Sequence, residues 1–274
     1  MSQYQLIALD MDGTLLNSRK EISAGNLKAI EKASTAGKAV VLSTGRCRPE
    51  LKEFYDRIPG LRYLDCSSGA MIYDLQEKKV LYSCCLDTEL VKKLIQLGRM
   101  EEAMLHLMGE EAVVERDQMA HMERYGMKIY QPMYEAVMTP CEDAYQFFCE
   151  HPMPIEKFNL YHKSVESRER TKERIKKAGY PVTVADAESG SLEITALGTD
   201  KGTGLLKLCE ALEISVSQTI AVGDADNDIS ILKTAGLDVA MGNADPHVKE
   251  IADVVTADCD HDGCAEIIYN YLLG

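Results

Sequence analysis

Two aspartates one residue apart, Asp10 and Asp12, close the short apolar run Leu6-Ile7-Ala8-Leu9 and are followed at once by Gly13 and Thr14. The run is too brief for an ordinary helix and ends in a turn residue, so it reads as a buried strand that delivers acids to a sheet edge. Successive strand side chains point to opposite faces, so the two carboxylates share one site only if the chain turns between or just after them, which Gly13 permits. A second acidic stretch, Gly223-Asp224-Ala225-Asp226-Asn227-Asp228, also follows an apolar run. Asp10, Asp12, Asp224 and Asp228 brought into one crevice would repel each other and need a cation, and their hard oxygen ligands select Mg²⁺. Asp-Gly after a strand is also ordinary turn chemistry, so the rest of the chain has to decide.

The elements between these residues read as α/β. Ser23 is placed to cap a helix with Leu27, Ile30 and Ala33 on one face, and Gly37 ends it. Ala39-Val40-Val41-Leu42 then forms a second buried strand, making a right-handed crossover between parallel strands. That strand runs into Ser43-Thr44-Gly45-Arg46, which sets a hydroxyl, a glycine and an arginine at the same sheet end as Asp10, where doubly wound sheets bind ligands. Residues 49–57 read as a helix, and 61–66 as a third strand ending in Ser67-Ser68-Gly69-Ala70. After about residue 200 the alternation resumes: Asp200-Lys201-Gly202 opens a helix, 219–222 is a strand, and a short strand, a helix begun by Asp245-Pro246 and a last strand follow.

Four separated segments, Asp10-Met11-Asp12-Gly13-Thr14, Ser43-Thr44-Gly45-Arg46, Asp200-Lys201-Gly202 and Gly223 through Asp228, each set polar residues just beyond an apolar strand or at a helix start. In order and arrangement they resemble the four motifs of the haloacid dehalogenase superfamily of phosphohydrolases. The resemblance implies a doubly wound, Rossmann-like parallel sheet as the core. It implies Asp10 as nucleophile, Asp12 as acid and base in turn, and Thr44, Gly45, Arg46, Ser68, Lys201 and Asn227 around the phosphoryl group or substrate. Asp10 and Asp224 would hold Mg²⁺ by carboxylates and Asp12 by its backbone carbonyl, with Asp228 in the metal's outer shell. The Cof-type branch usually carries Asn-Gly-Ala where this chain has Ser68-Gly69-Ala70, which puts the usual Asn contact to substrate in doubt.

From 84 to 195 the regular alternation loosens. Helices are expected over 88–97, 139–150, with a capping box at Thr139, and 166–177; strands over 112–115, 155–161, 182–186 and 192–195. A mixed α+β module inserted in an α/β core has the pattern of a lid, and the Cof-type branch inserts a cap domain here. The expected division is therefore 1–83 with 196–274 as core and 84–195 as an inserted cap that chooses the substrate. Eight of the 13 Met fall between Met100 and Met138 and are expected to be mainly core packing.

Composition sets the outer limits. The 274 residues are 46% hydrophobic, enough for a substantial core, and 44 acidic against 30 basic residues give a formal charge of −14. That charge argues against nucleic-acid and anionic-membrane partners, and the family resemblance implies a small phosphorylated metabolite as the ligand. No run approaches a membrane helix and no basic leader precedes an apolar one, so a cytoplasmic location is expected; the expected assembly is a monomer or weak homodimer. Nine Cys among apolar neighbours suit reduced thiols. The cluster Cys259-Asp260-His261-Asp262-Gly263-Cys264 lacks a second ligand pair and reads as a polar loop before a helix, and the vicinal Cys84-Cys85 as a hinge or strand detail. An EF-hand counted from Asp224 would need Gly and Glu where Ile229 and Ala235 stand, and a Walker loop fails because Lys201 comes too soon after Gly198. The leading expectation is a Mg²⁺-dependent phosphatase acting through an aspartyl-phosphate. The alternatives are a sugar phosphomutase on the same scaffold and a catalytically idle sensor of phosphorylated metabolites.

Overall fold

The computed structural model describes residues 2–55, 57–187 and 190–274. Its strands are β1 (Leu6–Leu9), β2 (Ala39–Ser43), β3 (Tyr63–Cys66), β4 (Met71–Asp74), β5 (Lys79–Ser83), β6 (Met104–Gly109), β7 (Ala112–Glu115), β8 (Thr139–Cys141), β9 (Ile155–Tyr161), β10 (Val182–Asp186), β11 (Ser191–Ala196), β12 (Thr219–Gly223), β13 (Leu237–Ala240) and β14 (Val254–Val255). The chain divides into two compact units, one of Met1–Arg46, Lys52–Ser83 and Asp200–Gly274, the other of Cys47–Leu51 and Cys84–Thr199.

The first unit is built on an eight-stranded sheet of order β14-β13-β12-β1-β2-β3-β4-β5. β1, β2 and β12 are apolar along most of their length because crossover helices cover both faces of a parallel sheet. β1 lies in parallel register between β2 and β12, with Leu9 opposite both Leu42 and Val222, so the residues that follow these three strands leave the sheet side by side. The chain steps outward from β1 through β2 and β3 on one side and through β12, β13 and β14 on the other, which makes the end of β1 a topological switch point. The sheet is mixed and not wholly parallel: β4 and β5 add an antiparallel edge that the sequence did not announce.

Helix Ala24–Thr35 begins where expected, with the Ser23 side chain accepting the N–H of Asn26. Its inward face differs by one residue: Asn26 is buried instead of Leu27, and its Oδ1 accepts the backbone N–H of Ala265. The expected helix over 49–57 is a 3₁₀ turn, Arg48–Leu51, running into a short α-helix, Lys52–Tyr55; Asp56 lies outside the described residues.

The second unit carries a six-stranded sheet of order β10-β11-β9-β6-β7-β8, antiparallel except for the β7–β8 pair. One face, with Leu105, Leu107, Phe158, Leu160, Leu192 and Ile194, packs with Leu90, Val91, Leu94 and Ile95 of helix Thr88–Met100. Alternation sends Met104, His106, Met108, Lys157, Asn159, Tyr161 and Glu193 to the other face. Met104, Met108, Met122, Met127 and Met138 are buried there in one cluster with Cys47, Tyr134 and Tyr161, so these methionines are core; Met100 is instead exposed.

The helix expected over 139–150 is overturned at its start. Thr139–Cys141 is strand β8, paired to β7, and the helix is Ala144–Glu150, capped by Asp143, whose side chain accepts the N–H of Gln146. The Thr-Pro-Cys-Glu pattern that mimics a capping box loses to edge pairing, where Pro140 costs nothing on the solvent side. Among the described residues no helix is long and apolar enough to cross a membrane.

Candidate active site

The end of β1 delivers Asp10 into a buried ionic cluster. Lys201, the first residue of helix Lys201–Leu212, donates from Nζ to Asp10 Oδ1 at 2.7 Å and to Asp228 Oδ1 at 2.6 Å. Asp200 starts that helix by accepting the N–H of Thr203 on its side chain, which fixes the direction in which Lys201 leaves the backbone. All three charged groups are buried, Lys201 to 1% exposure. The other carboxylate oxygen of Asp228 accepts the backbone N–H groups of Asp224, at 3.0 Å, and Ala225, at 3.2 Å. Asp224 Oδ1 accepts the Thr14 hydroxyl at 2.8 Å, a partner from the first loop that the motif reading did not single out.

The carboxylates of Asp10, Asp224 and Asp228 offer oxygens within 4.8 Å of one another. Burial, reinforced by Asp228 and Asp224, holds the Asp10 carboxyl well above the ordinary aspartate range despite Lys201. Burial and Asp228 likewise push Asp224 up to about 6, against the Thr14 hydrogen bond. One ammonium therefore leaves negative charge uncompensated in a buried place, and hard oxygens so gathered fit a small divalent cation. Gly13 makes the gathering possible. Its φ is +88°, and a Cβ there would stand 2.4 Å from Asp224 Oδ2.

Asp12 stands apart from that cluster. Arg46 Nε donates to its Oδ2 at 3.0 Å and Lys20 Nζ to its Oδ1 at 2.8 Å. Burial works to raise its pKa, but the Arg46 and Lys20 charges and hydrogen bonds outweigh it, and the carboxyl sits below its ordinary range. The structure thus sets Arg46, expected at the phosphoryl group, against Asp12. Lys20, which the sequence did not single out, shares that contact.

Thr44 and Ser68 are joined through the backbone: the Ser68 N–H donates to the Thr44 carbonyl at 3.1 Å, and Thr44 Oγ1 accepts the Arg46 N–H at 3.2 Å. Gly45 follows Thr44 at the end of β2, and Asn227 is half-buried in the 3₁₀ turn Asp226–Asp228. Ser67, Ser68 and Gly69 all have positive φ, and a Cβ on Gly69 would fall 1.9 Å from the Asp200 carbonyl oxygen. That turn and the start of helix Lys201–Leu212 are therefore packed backbone to backbone.

Asp65 on β3 is a further acid that the motifs do not reveal. Its Oδ2 accepts the Ser43 hydroxyl at 2.6 Å, its Oδ1 has no hydrogen-bond partner, and burial pushes its pKa up to about 7. In the segment 259–264, Asp260 accepts from Ser18, Asp262 accepts the Ser23 hydroxyl, and the Cys264 thiol lies against the Thr14 carbonyl.

In sequence and in fold the chain resembles known proteins. A family model described as haloacid dehalogenase-like hydrolase matches residues 7–268. The 5-amino-6-(5-phospho-D-ribitylamino)uracil phosphatase YcsE of Bacillus subtilis is 30% identical over 98% of this chain and 96% of its own. The pyridoxal phosphate phosphatase YbhA of Escherichia coli is also 30% identical, over 98% of this chain and 99% of its own. Among solved structures, a haloacid dehalogenase-like hydrolase from B. subtilis superposes with a TM-score of 0.84 at 26% identity, over 97% of this chain and 99% of that one. A family match spanning nearly the whole chain, full-length phosphatase relatives and the same fold agree: the chain belongs to the haloacid dehalogenase-like hydrolases, as a phosphohydrolase of the Cof-type branch.

Proposed function

We propose that the protein is a Mg²⁺-dependent phosphatase that hydrolyses small phosphorylated metabolites, sugar phosphates or phosphorylated cofactors, through an aspartyl-phosphate on Asp10. The observation that carries this reading is the Lys201 bridge between Asp10 and Asp228 beside Asp224, a buried acidic crevice at the switch point of the sheet. Asp10, Asp224 and Asp228 are the residues that fit the metal. Bound there, Mg²⁺ supplies the positive charge that lets an anionic phosphoryl group approach an anionic carboxylate.

Asp10 is presented by a rigid buried strand, so its oxygen is aimed without further ordering. Its free carboxylate oxygen forms the bond to phosphorus as the bond from phosphorus to the leaving oxygen breaks. Asp12 gives its proton to that leaving oxygen, then takes one from the water that displaces Asp10 and releases inorganic phosphate. The Arg46 and Lys20 contacts keep Asp12 ionised at rest, so it takes up its proton only when substrate draws one or both cations away. Lys201 holds Asp10 in place and neutralises charge on the phosphoryl oxygens, which Thr44 and the Gly45 amide bind. The unit formed largely by Cys84–Thr199 serves as the cap that reads the leaving group and excludes water. The phosphorylated heterocycles named for the YcsE and YbhA relatives support metabolites of that size as substrates.

The test is a panel of phosphorylated sugars and cofactors assayed for phosphate release with Mg²⁺ and with EDTA. Metal-dependent release of phosphate is expected. Formation of an isomeric sugar phosphate would replace hydrolase with mutase, and binding without turnover would leave a sensor.

A further inference from the structure

The second unit contains a buried polar cluster that this reaction does not use. Cys47 and Glu50 stand in the segment Cys47–Leu51, and His106 lies within β6. One ligand atom of each, a thiol sulfur, a carboxylate oxygen and a ring nitrogen, lies within 4.8 Å of the other two, and Cys47 and His106 have no exposed surface. Glu50 Oε2 accepts the backbone N–H of Cys47 at 2.8 Å and its thiol at 3.2 Å. That accounts for Glu50 as the cap of the Arg48–Leu51 turn. It does not account for His106.

The imidazole is tied down on one side only. Its Nδ1 is hydrogen-bonded to the Tyr134 hydroxyl at 3.0 Å, that hydroxyl to the Tyr161 hydroxyl at 2.9 Å, and the latter accepts Asn159 Nδ2 at 3.1 Å. His106 Nε2 is buried with no hydrogen-bond partner, and so is Oδ1 of Asn159, which faces His106 directly across the β6–β9 ladder. Buried polar atoms are rarely left this way, and two together on one side of a sheet mark a place built for something that supplies a partner.

We propose that Cys47 Sγ, Glu50 Oε2 and His106 Nε2 bind a zinc ion. A sulfur, nitrogen and oxygen set selects zinc over magnesium, which requires oxygen and retains its waters. The Tyr134 hydroxyl accepts from Nδ1–H and so leaves the Nε2 lone pair for the metal, the arrangement that metal-bound histidines commonly have behind them. As the sulfur–zinc bond forms, the Cys47 S–H bond breaks and its proton leaves to solvent; nothing is oxidised or reduced. Glu50 exchanges the thiol proton for the ion and keeps the Cys47 N–H. Asn159 Oδ1 or a water takes the fourth position. The ion ties Cys47–Leu51 to β6, two segments far apart in sequence, and Cys47 directly follows Arg46, the residue that holds Asp12. This inference stands whether or not the phosphatase reading does.

The experiment strips the full chain with a chelator and returns Co²⁺ in excess Mg²⁺, which occupies the carboxylate crevice. A thiolate-to-cobalt charge-transfer band is expected in wild type, displaced by Zn²⁺, and absent in Cys47→Ser and His106→Gln. Glu50→Gln should keep the band and weaken the affinity at least about tenfold. Elemental analysis of protein purified without chelator should find about one zinc per chain, lost in Cys47→Ser. Circular dichroism establishes which variants fold, and His106→Gln, which leaves the turn's own hydrogen bonds in place, decides if Cys47→Ser does not. Absence of the band in folded wild type, or a band that persists in folded His106→Gln, overturns the site.

Discussion

The two sheets of this protein carry their polar residues in opposite ways. In the first unit β1, β2 and β12 are apolar almost throughout, and polar side chains begin at or just past their ends, with Asp10, Thr44 and Asp224. In the second unit the polar residues His106, Lys157, Asn159 and Glu193 lie inside strands, all on one face. The cause is the covering. A parallel sheet covered on both sides by crossover helices leaves only its ends free for charge, whereas this face of the second sheet buries its polar residues against partners, Lys157 with Glu193 and His106 with Tyr134. Each unit, among the described residues, also buries one lysine: Lys201, at a helix start, between two carboxylates, and Lys157 at 2.7 Å from Glu193 in mid-sheet.

The comparison predicts that the strand-end cluster is catalytic and the mid-sheet pair is not, and the largest expected effect tests the first half. Asp10→Asn should lower turnover by more than about a hundredfold, since the amide keeps the side chain's shape and removes the nucleophile. With EDTA present its melting temperature should equal or exceed that of wild type, because one of three crowded carboxylates is gone. Phosphate release and thermal unfolding on the same preparation check both. Retained activity would move the nucleophile elsewhere.

The same contrast explains what was legible in the sequence. Asp10, Thr44, Lys201, Asp224 and Asp228 follow apolar runs or open helices, so their positions stand out as breaks in a pattern, and the structure brings Asp10, Lys201, Asp224 and Asp228 together. The pairing of Arg46 with Asp12 was not legible, because which anion an arginine meets depends on a loop turn and not on spacing. His106 and Glu50 gave no signal: each is a single polar residue in a mixed segment, and what brings them together is the packing of Cys47–Leu51 with β6. Strand β8 was misread because Thr139, Pro140 and Glu142 satisfy a helix-start pattern locally, and only pairing with β7 decides otherwise.

The mid-sheet half is tested by Lys157→Met. Removing one member of a buried ion pair takes away the ammonium that faces Glu193 at 2.7 Å and should cost about 3 to 5 kcal/mol of stability. Lys157→Met with Glu193→Leu should recover most of that loss, since an apolar pair of similar volume avoids the desolvation cost. Urea unfolding measures both. Turnover of a small activated phosphate ester should survive in whichever variant remains folded, because the pair lies in the second unit. A double variant as unstable as the single one would give Lys157 and Glu193 separate roles.

Asp65 departs from the first sheet's pattern, being an acid inside a strand, and it supplies a pH dependence of known sign. Burial raises its folded pKa to about 7, well above the ordinary aspartate range, so the native state holds a proton that the unfolded chain releases. Its contribution to stability is complete below about pH 4, falls as pH rises to about 7, and is flat above. Asp65→Asn removes that loss while its side-chain oxygen can still accept the Ser43 hydroxyl. The stability gap between Asp65→Asn and wild type should therefore open between pH 4 and 7, reaching on the order of 2 to 4 kcal/mol. Denaturation series at several pH values check it, and a gap that closes with rising pH would place the proton elsewhere.

The smallest effect lies in the turn after β3. Ser67 and Ser68 have φ of +54° and +55°, and Ser68 stands where the Cof-type branch usually has Asn. An ordinary L-residue in this left-handed region costs roughly 1 to 2 kcal/mol, and Asn, whose short amide bonds locally, bears it more easily. If the turn's geometry governs, Ser67→Asn and Ser68→Asn should each stabilise by about 0.5 kcal/mol, raising the melting temperature by about 1 to 2 °C in a chain of this size. Ser67 is the control, because it shares the backbone conformation without standing at the substrate-contact position that the resemblance implies. Equal gains at both would make the turn itself the reason for an asparagine there. A gain at Ser67 with a loss at Ser68 would instead show that the Ser68 hydroxyl makes a contact in the crevice that an amide cannot replace, and would tie this departure to the protein's own choice of substrate.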